Sequence, residues 1–123
     1  MGYYSDTALA LTGKGVDTLN KKLAAPETSE ETRKEVQDLL SQADHHYADS
    51  NNGAEVWHWA WSKWYSQFPE VAFVESLMDE MDEEDYRFIR IGEDYDDTEV
   101  RGGFWENPFG MELRRSIVLT EAG

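Results

Sequence analysis

Eleven acids and two bases fall between Asp79 and Glu99, a local balance of −9 in a chain whose formal net charge is −15. Like charges three or four residues apart on a helix repel. The six acids in the seven positions from Asp79 to Asp85 therefore suit a helix end or a surface turn, not a helix interior. Beyond them, Tyr86-Arg-Phe-Ile-Arg-Ile91 sets Tyr86, Phe88 and Arg90 against Arg87, Ile89 and Ile91, the period-two alternation of a strand. A second acidic block, Glu93-Asp-Tyr-Asp-Asp97 with Glu99, follows it. Whatever the fold, this part of the chain must hold carboxylates at the surface on either side of a strand. Such a field repels nucleic acid and anionic membranes and speeds association with a basic partner in a salt-dependent way.

Acidity of this kind also marks disordered tails, but here 40% of residues are hydrophobic and 13% aromatic, too many for a solvating tail. At 123 residues the chain suits one domain that buries a core without staples. With no cysteine there is no disulfide, thiolate metal site or cysteine nucleophile, which fits a reducing compartment. The opening MGYYSDTALALTGKG lacks the basic flank and apolar run of a signal peptide, and no stretch approaches the ~20 apolar residues of a membrane span. A cytoplasmic protein is expected.

Alternation from Tyr3 to Thr12 predicts a first strand, broken at Gly13-Lys-Gly15. A short helix follows over Val16 to Ala24. Thr28-Ser-Glu-Glu31 has the form of a capping box, opening a helix with the stripe Val36, Leu39, Leu40, Ala43 and Tyr47. That helix should fade near Asp44-His-His-Tyr47, ahead of the turn formers Asp49-Ser-Asn-Asn-Gly53. Trp57, Trp59 and Trp61 alternate as a strand from Glu55 to about Lys63, although Trp57, Trp61, Trp64 and Phe68 also fit a helix face. Pro69 suits a first helical position, with Val71, Val74, Leu77, Met78 and Met81 facing inward. Strands are expected again at Tyr86–Ile91, Thr98–Arg101 and Met111–Thr120. The order β-α-α-β-α-β-β-β describes a single α+β domain over residues 1–123, a mostly antiparallel sheet with its helices on one face.

Met1-Gly-Tyr-Tyr-Ser5 with Ala8-Leu-Ala10, Lys63-Trp-Tyr65 leading to Pro69-Glu-Val71 and Phe73-Val-Glu75, and Tyr86-Arg-Phe-Ile-Arg-Ile-Gly-Glu-Asp94 with Asp96-Asp97 and Glu99 carry a resemblance. Together they look like small, acidic, uncharacterised proteins of phages and prophages. The likeness spans most of the chain outside Pro26–Ala48 and brings no catalytic residues. It implies a phage-encoded accessory product acting in the bacterial host cytoplasm.

Restriction enzymes, CRISPR effectors and repair nucleases bind phosphates through Lys/Arg grooves, largely by charge. Rigid carboxylates spaced like phosphates can occupy such a groove, and Asp79 and Glu83 at i and i+4 on a helix lie roughly 6 Å apart. The leading expectation is thus a non-enzymatic inhibitor of the anti-CRISPR or anti-restriction type, a DNA mimic that binds a host nuclease or nucleic-acid-binding effector. Its candidate contacts are Asp79, Glu80, Asp82, Glu83, Glu84, Asp85, Glu93, Asp94, Asp96 and Asp97, with Phe104 and Trp105 as aromatic anchors. Neither a cofactor nor direct nucleic-acid binding is expected, and a homodimer is an open option.

Blander readings stand beside this one. Acidic helix ends and loops are commonly solvated surface. Glu93–Glu99 offers oxygen ligands to a divalent cation, and so an alternative as a cation-dependent enzyme, but lacks the central glycine and distant glutamate of a calcium loop. Asp44, His45, His46 and Asp49 could chelate a transition metal or simply form a solvent-facing helix end. The tryptophans could stack bases or sugars, build core, or form a self-association surface, but stacking platforms come with basic residues and only Lys63 is near. Phe104, Trp105 and Phe109, held by Gly102-Gly103 and Pro108, could sit in an interface or cap the core.

Overall fold

A computed structural model describes residues 2–94, 96–104, 109 and 111. The chain runs β1 (Ser5–Leu11), α1 (Gly13–Ala24), α2 (Glu30–Ser41), β2 (His45–Ala48), β3 (Glu55–Ser62), α3 (Pro69–Glu80), a 3-10 turn (Glu83–Asp85), β4 (Tyr86–Gly92) and β5 (Thr98–Arg101). All strand pairs are antiparallel, in the order β2-β3-β1-β4-β5. This is the expected α+β class, and the expected elements are found in sequence through β5. The strand expected over Met111–Thr120 lies outside the described residues, apart from Met111 itself.

Side-chain alternation in the central strand decides what sits where. Leu9 and Leu11 are buried and lie opposite Trp57 and Phe88, and Glu55 and Tyr86, respectively. On that face they meet the apolar stripes of the helices: Leu19 and Leu23 of α1, Val36 of α2, and Val71, Val74, Leu77 and Met78 of α3. Full burial of one such side chain contributes about 1.5–3 kcal/mol. Trp59 adds a polar tie, its indole Nε1 donating to the Leu39 carbonyl of α2 at 2.9 Å. Pro69 occupies the first turn of α3 as expected.

Several local expectations are corrected. The glycines at 13 and 15 open α1 instead of merely ending the strand, because the Thr12 hydroxyl caps the helix by accepting from the Gly15 N–H at 3.0 Å. In α2 the cap is Ser29, which accepts from the Thr32 N–H. Thr28 instead donates to the Lys22 carbonyl at 2.7 Å, so the Thr28–Glu31 box does not form. The fading helix around His45 is a separate edge strand, β2, whose register sets His45 against His58 and Tyr47 against Val56.

Trp61 leaves the core. Ser5 pairs with Ser62 but Thr7 with Trp59, so β3 carries one extra residue against β1. Such a bulge rotates the residues beyond it. Trp57 and Trp59 are buried at 4% and 3% exposure, whereas Trp61 is 63% exposed and stacks on Tyr4 with ring centroids 5.3 Å apart. Trp64 packs between Trp59 and Phe88.

Candidate interaction surface

The two acidic blocks sit at opposite ends of β4, separated by a seven-residue strand of about 20 Å. They do different things there.

At the first block, α3 runs out of helix as the acids crowd. Asp79 pairs with Arg101 (2.6 Å) and Glu80 with Lys22 (2.8 Å). Asp82, Glu83 and Glu84 then turn on exposed backbone whose ends are tied to distant parts of the chain. The Asp85 carbonyl accepts from the Thr12 N–H at 2.9 Å, the Asp82 carbonyl from the Asp85 N–H at 2.9 Å, and the Glu83 carbonyl from the Gly103 N–H at 2.6 Å. Gly102, at φ +88°, allows that last tie, since a Cβ there would collide with the Tyr86 carbonyl. Asp85 itself is buried, and its Oδ1 accepts from the Thr12 hydroxyl at 3.0 Å. It belongs to the scaffold. Lys14 reaches Asp82 at 3.4 Å in a solvent-exposed pair, while Glu83 and Glu84 make no ion pair among the described residues.

The second block is a clasp. Arg90, half-buried beside the end of β1, donates two bonds to Asp97 (2.8 and 3.1 Å), one to Glu99 (3.2 Å) and one to the Ser5 hydroxyl (3.1 Å). The hydrogen bonds to Asp97, then burial opposing them, and then Glu99 leave the guanidinium above its ordinary pKa. Asp97 also accepts from the Tyr3 hydroxyl at 2.5 Å, and Glu93 from the Tyr4 N–H at 2.5 Å. Gly92 matters here because a Cβ would strike both Asp97 and the Tyr3 hydroxyl. This block therefore holds the N-terminal residues to the end of the sheet. Asp97 and Glu99, two of the oxygen ligands that a divalent cation would need, already face a guanidinium.

The clasp has a pH signature. The Asp94 N–H bond to the Tyr3 oxygen lowers the phenol's pKa, but the bond to Asp97, desolvation and the charges of both carboxylates together raise it above the ordinary tyrosine value. A raised folded-state pKa means that the contribution is complete below the unfolded value and is lost as pH climbs through the folded one. Phenolate absorbance is expected to show one late-titrating tyrosine that disappears in Tyr3→Phe. Loss of amplitude from the ordinary tyrosine range instead of from the late end of the curve counts against the clasp.

Phe104 is half-buried, its N–H donating to the Tyr86 carbonyl at 3.1 Å. Trp105 lies outside the described residues. The Asp44–Asp49 segment does not gather into a chelate. His45 and His46 point to opposite faces of β2, Asp44 accepts from the Ala60 N–H (2.7 Å), and Asp49 from the Asn51 N–H (2.8 Å). Among the described residues no group of three or more His, Asp or Glu is placed to hold a metal ion.

Sequence reasoning missed a site on the sheet face away from the helices. Alternation places Asp6, Ala8, His58 and Ile89 there, opposite the Leu9, Trp57 and Phe88 side. A cavity of about 340 Å³ opens on this face, bounded also by His45, Tyr47, Val56 and Ile91, with Phe109 and Met111 alongside. His58 Nε2 lies 2.5 Å from Asp6 Oδ1, and the His45 ring stacks on His58 at 5.4 Å. The signal was available: Asp6 and His58 fall on the same phase of their strands, opposite the core residues.

Among the described residues no helix is long and apolar enough to cross a membrane. No protein-family model, curated protein or solved structure matches this chain.

Proposed function

We propose that the protein is a non-enzymatic inhibitor that docks its acidic turn into the basic groove of a nucleic-acid-handling protein, in the manner of a phage product directed against host restriction or CRISPR machinery. The observation that carries this reading is the anchoring of Asp82–Asp85: two long-range backbone bonds, from Thr12 and Gly103, and one bond within the turn hold a segment whose side chains at 82, 83 and 84 face solvent. A solvated acidic loop has no need of such anchoring. A phosphate mimic does, because carboxylates already in place lose little entropy on binding. Asp79 and Glu80, each with one internal cation, extend the patch along the end of α3, and the half-buried Phe104 lies beside it as an apolar neighbour. Asp85, Glu93, Asp94 and Asp97 serve the scaffold, and Asp96 lies with the clasp at the far end of β4 from the turn.

The test is competition. A host effector retained by the immobilised protein at low salt is expected to be released both by raised salt and by duplex DNA, since the two ligands share one groove. The protein alone should not shift DNA or RNA in a gel at physiological salt. A retained partner that binds DNA and the inhibitor simultaneously rules out mimicry, and direct nucleic-acid binding rules out its electrostatic premise.

A further inference from the structure

The cavity on the helix-free face has an origin in the sequence. Ala8 sits in the central strand between His58 of β3 and Ile89 of β4, and its single methyl cannot fill the space that these larger neighbours leave. Three properties of the walls restrict what fits. The floor toward β4 is aliphatic, from Ile89 and Ile91. The opposite wall is a pair of nearly parallel rings, His45 and His58, with planes 16° apart. Between them stands Asp6, which engages His58 through Oδ1, while Oδ2 makes no hydrogen bond among the described residues.

The geometry points to a binding site for a small aromatic cation, an arylalkylammonium, with its ring between the isoleucine floor and the imidazole wall and its ammonium on the free Asp6 oxygen. A cavity of about 340 Å³ lies at the small end of the range for ligand pockets, enough for one ring and a short arm. Charge selects the sign of the ligand: a carboxylate inside a chain of net charge −15 disfavours an anion and attracts a cation. The aromatic faces and aliphatic floor select a flat apolar body over a simple polyamine.

Phenethylammonium is the probe, titrated into the full chain at physiological salt and followed by backbone amide shifts. Phenylacetate and 2-phenylethanol serve as isosteres of opposite and zero charge. Saturable binding is expected, with shifts gathered on β1, β2, β3 and the Ile89–Ile91 end of β4 and affinity at least tenfold above either isostere. Asp6→Asn should lose at least tenfold, because it removes the charge that meets the ammonium, while the half-exposed amide keeps an oxygen for His58. Ala8→Phe fills the cavity and should abolish binding. If that variant does not fold, Asp6→Asn decides alone. Glu83→Gln with Glu84→Gln should bind as the parent does, separating the cavity from general attraction to an acidic protein. No saturable binding, equal affinity for phenylacetate, or full affinity in Asp6→Asn overturns the assignment. None of those results bears on the acidic turn, which lies at the other end of the fold's chemistry.

Discussion

Reversal of Asp82, Glu83 and Glu84 to lysine is expected to weaken binding to a basic groove on the order of a thousandfold, about 4 kcal/mol, and to leave folding nearly intact. Each change removes one attraction and adds one repulsion inside a groove that already holds like charge. Folding survives because all three side chains are exposed, and the single ion pair lost, Asp82 with Lys14, is an exposed one of little worth. Relief of like-charge crowding offsets even that. The control is the triple reversal of Glu27, Glu31 and Asp38, exposed acids in and around α2 that change net charge equally. If affinity and its salt slope fall equally in both triples, the partner reads total charge and the anchored turn has no special role. If neither triple affects binding, the acids are solvated surface and Phe104 becomes the contact to test.

Asp97→Lys is expected to act in the opposite sense, on folding. It removes both bonds from Arg90 and the bond from Tyr3, and it sets an ammonium against a guanidinium whose side chain is only 17% exposed. An ion pair broken in partial burial leaves Arg90 with Glu99 as its carboxylate partner and a like charge at its other side, a cost of about 3 kcal/mol. In a chain of this size that lowers the melting temperature by about 10 °C. Urea denaturation should show the midpoint fall with an unchanged slope. Asp97→Asn, which keeps the acceptor oxygen without the charge, should lose less. A Lys variant as stable as the parent shows that the clasp contributes nothing and returns Asp97 to the pool of surface acids.

The contrast between the two ends of β4 was partly legible. Arg90 falls on the same strand phase as Tyr86 and Phe88, and a cation on the core side of a strand needs a carboxylate to meet it. The sequence named eleven nearby acids without saying which one, because the choice depends on how the β4–β5 turn folds back. Asp85 was hidden for a related reason: its partner is the Thr12 hydroxyl, seventy-three residues away. Helices were read well where an apolar stripe recurred at three and four, as in α3 and in α2 as far as Leu40, but Ala43 and Tyr47, read as the same stripe, lie beyond the end of α2, and Tyr47 is an exposed residue of β2. The strand β2 was not, since four exposed residues after a helix carry no periodicity of their own and are ordered by pairing with β3. The bulge that turns Trp61 outward is equally a property of two strands in register, which neither strand displays alone.

The strand order has a consequence in time. β1 lies at the centre of the sheet, with Leu11 paired to both Glu55 and Tyr86 and Ser5 to both Ser62 and Gly92. The earliest of the described strands therefore has one edge unpaired until β4 is made. Its apolar face must wait through α1, α2, β3 and α3 before β4 arrives, and contacts of such long sequence separation slow folding. Synthesis has to pass Gly92 and clear the exit tunnel before that edge can be paired, and pass Asp97 before the clasp can close on Tyr3, so a nascent chain short of the first point exposes a hydrophobic strand edge to whatever is nearby.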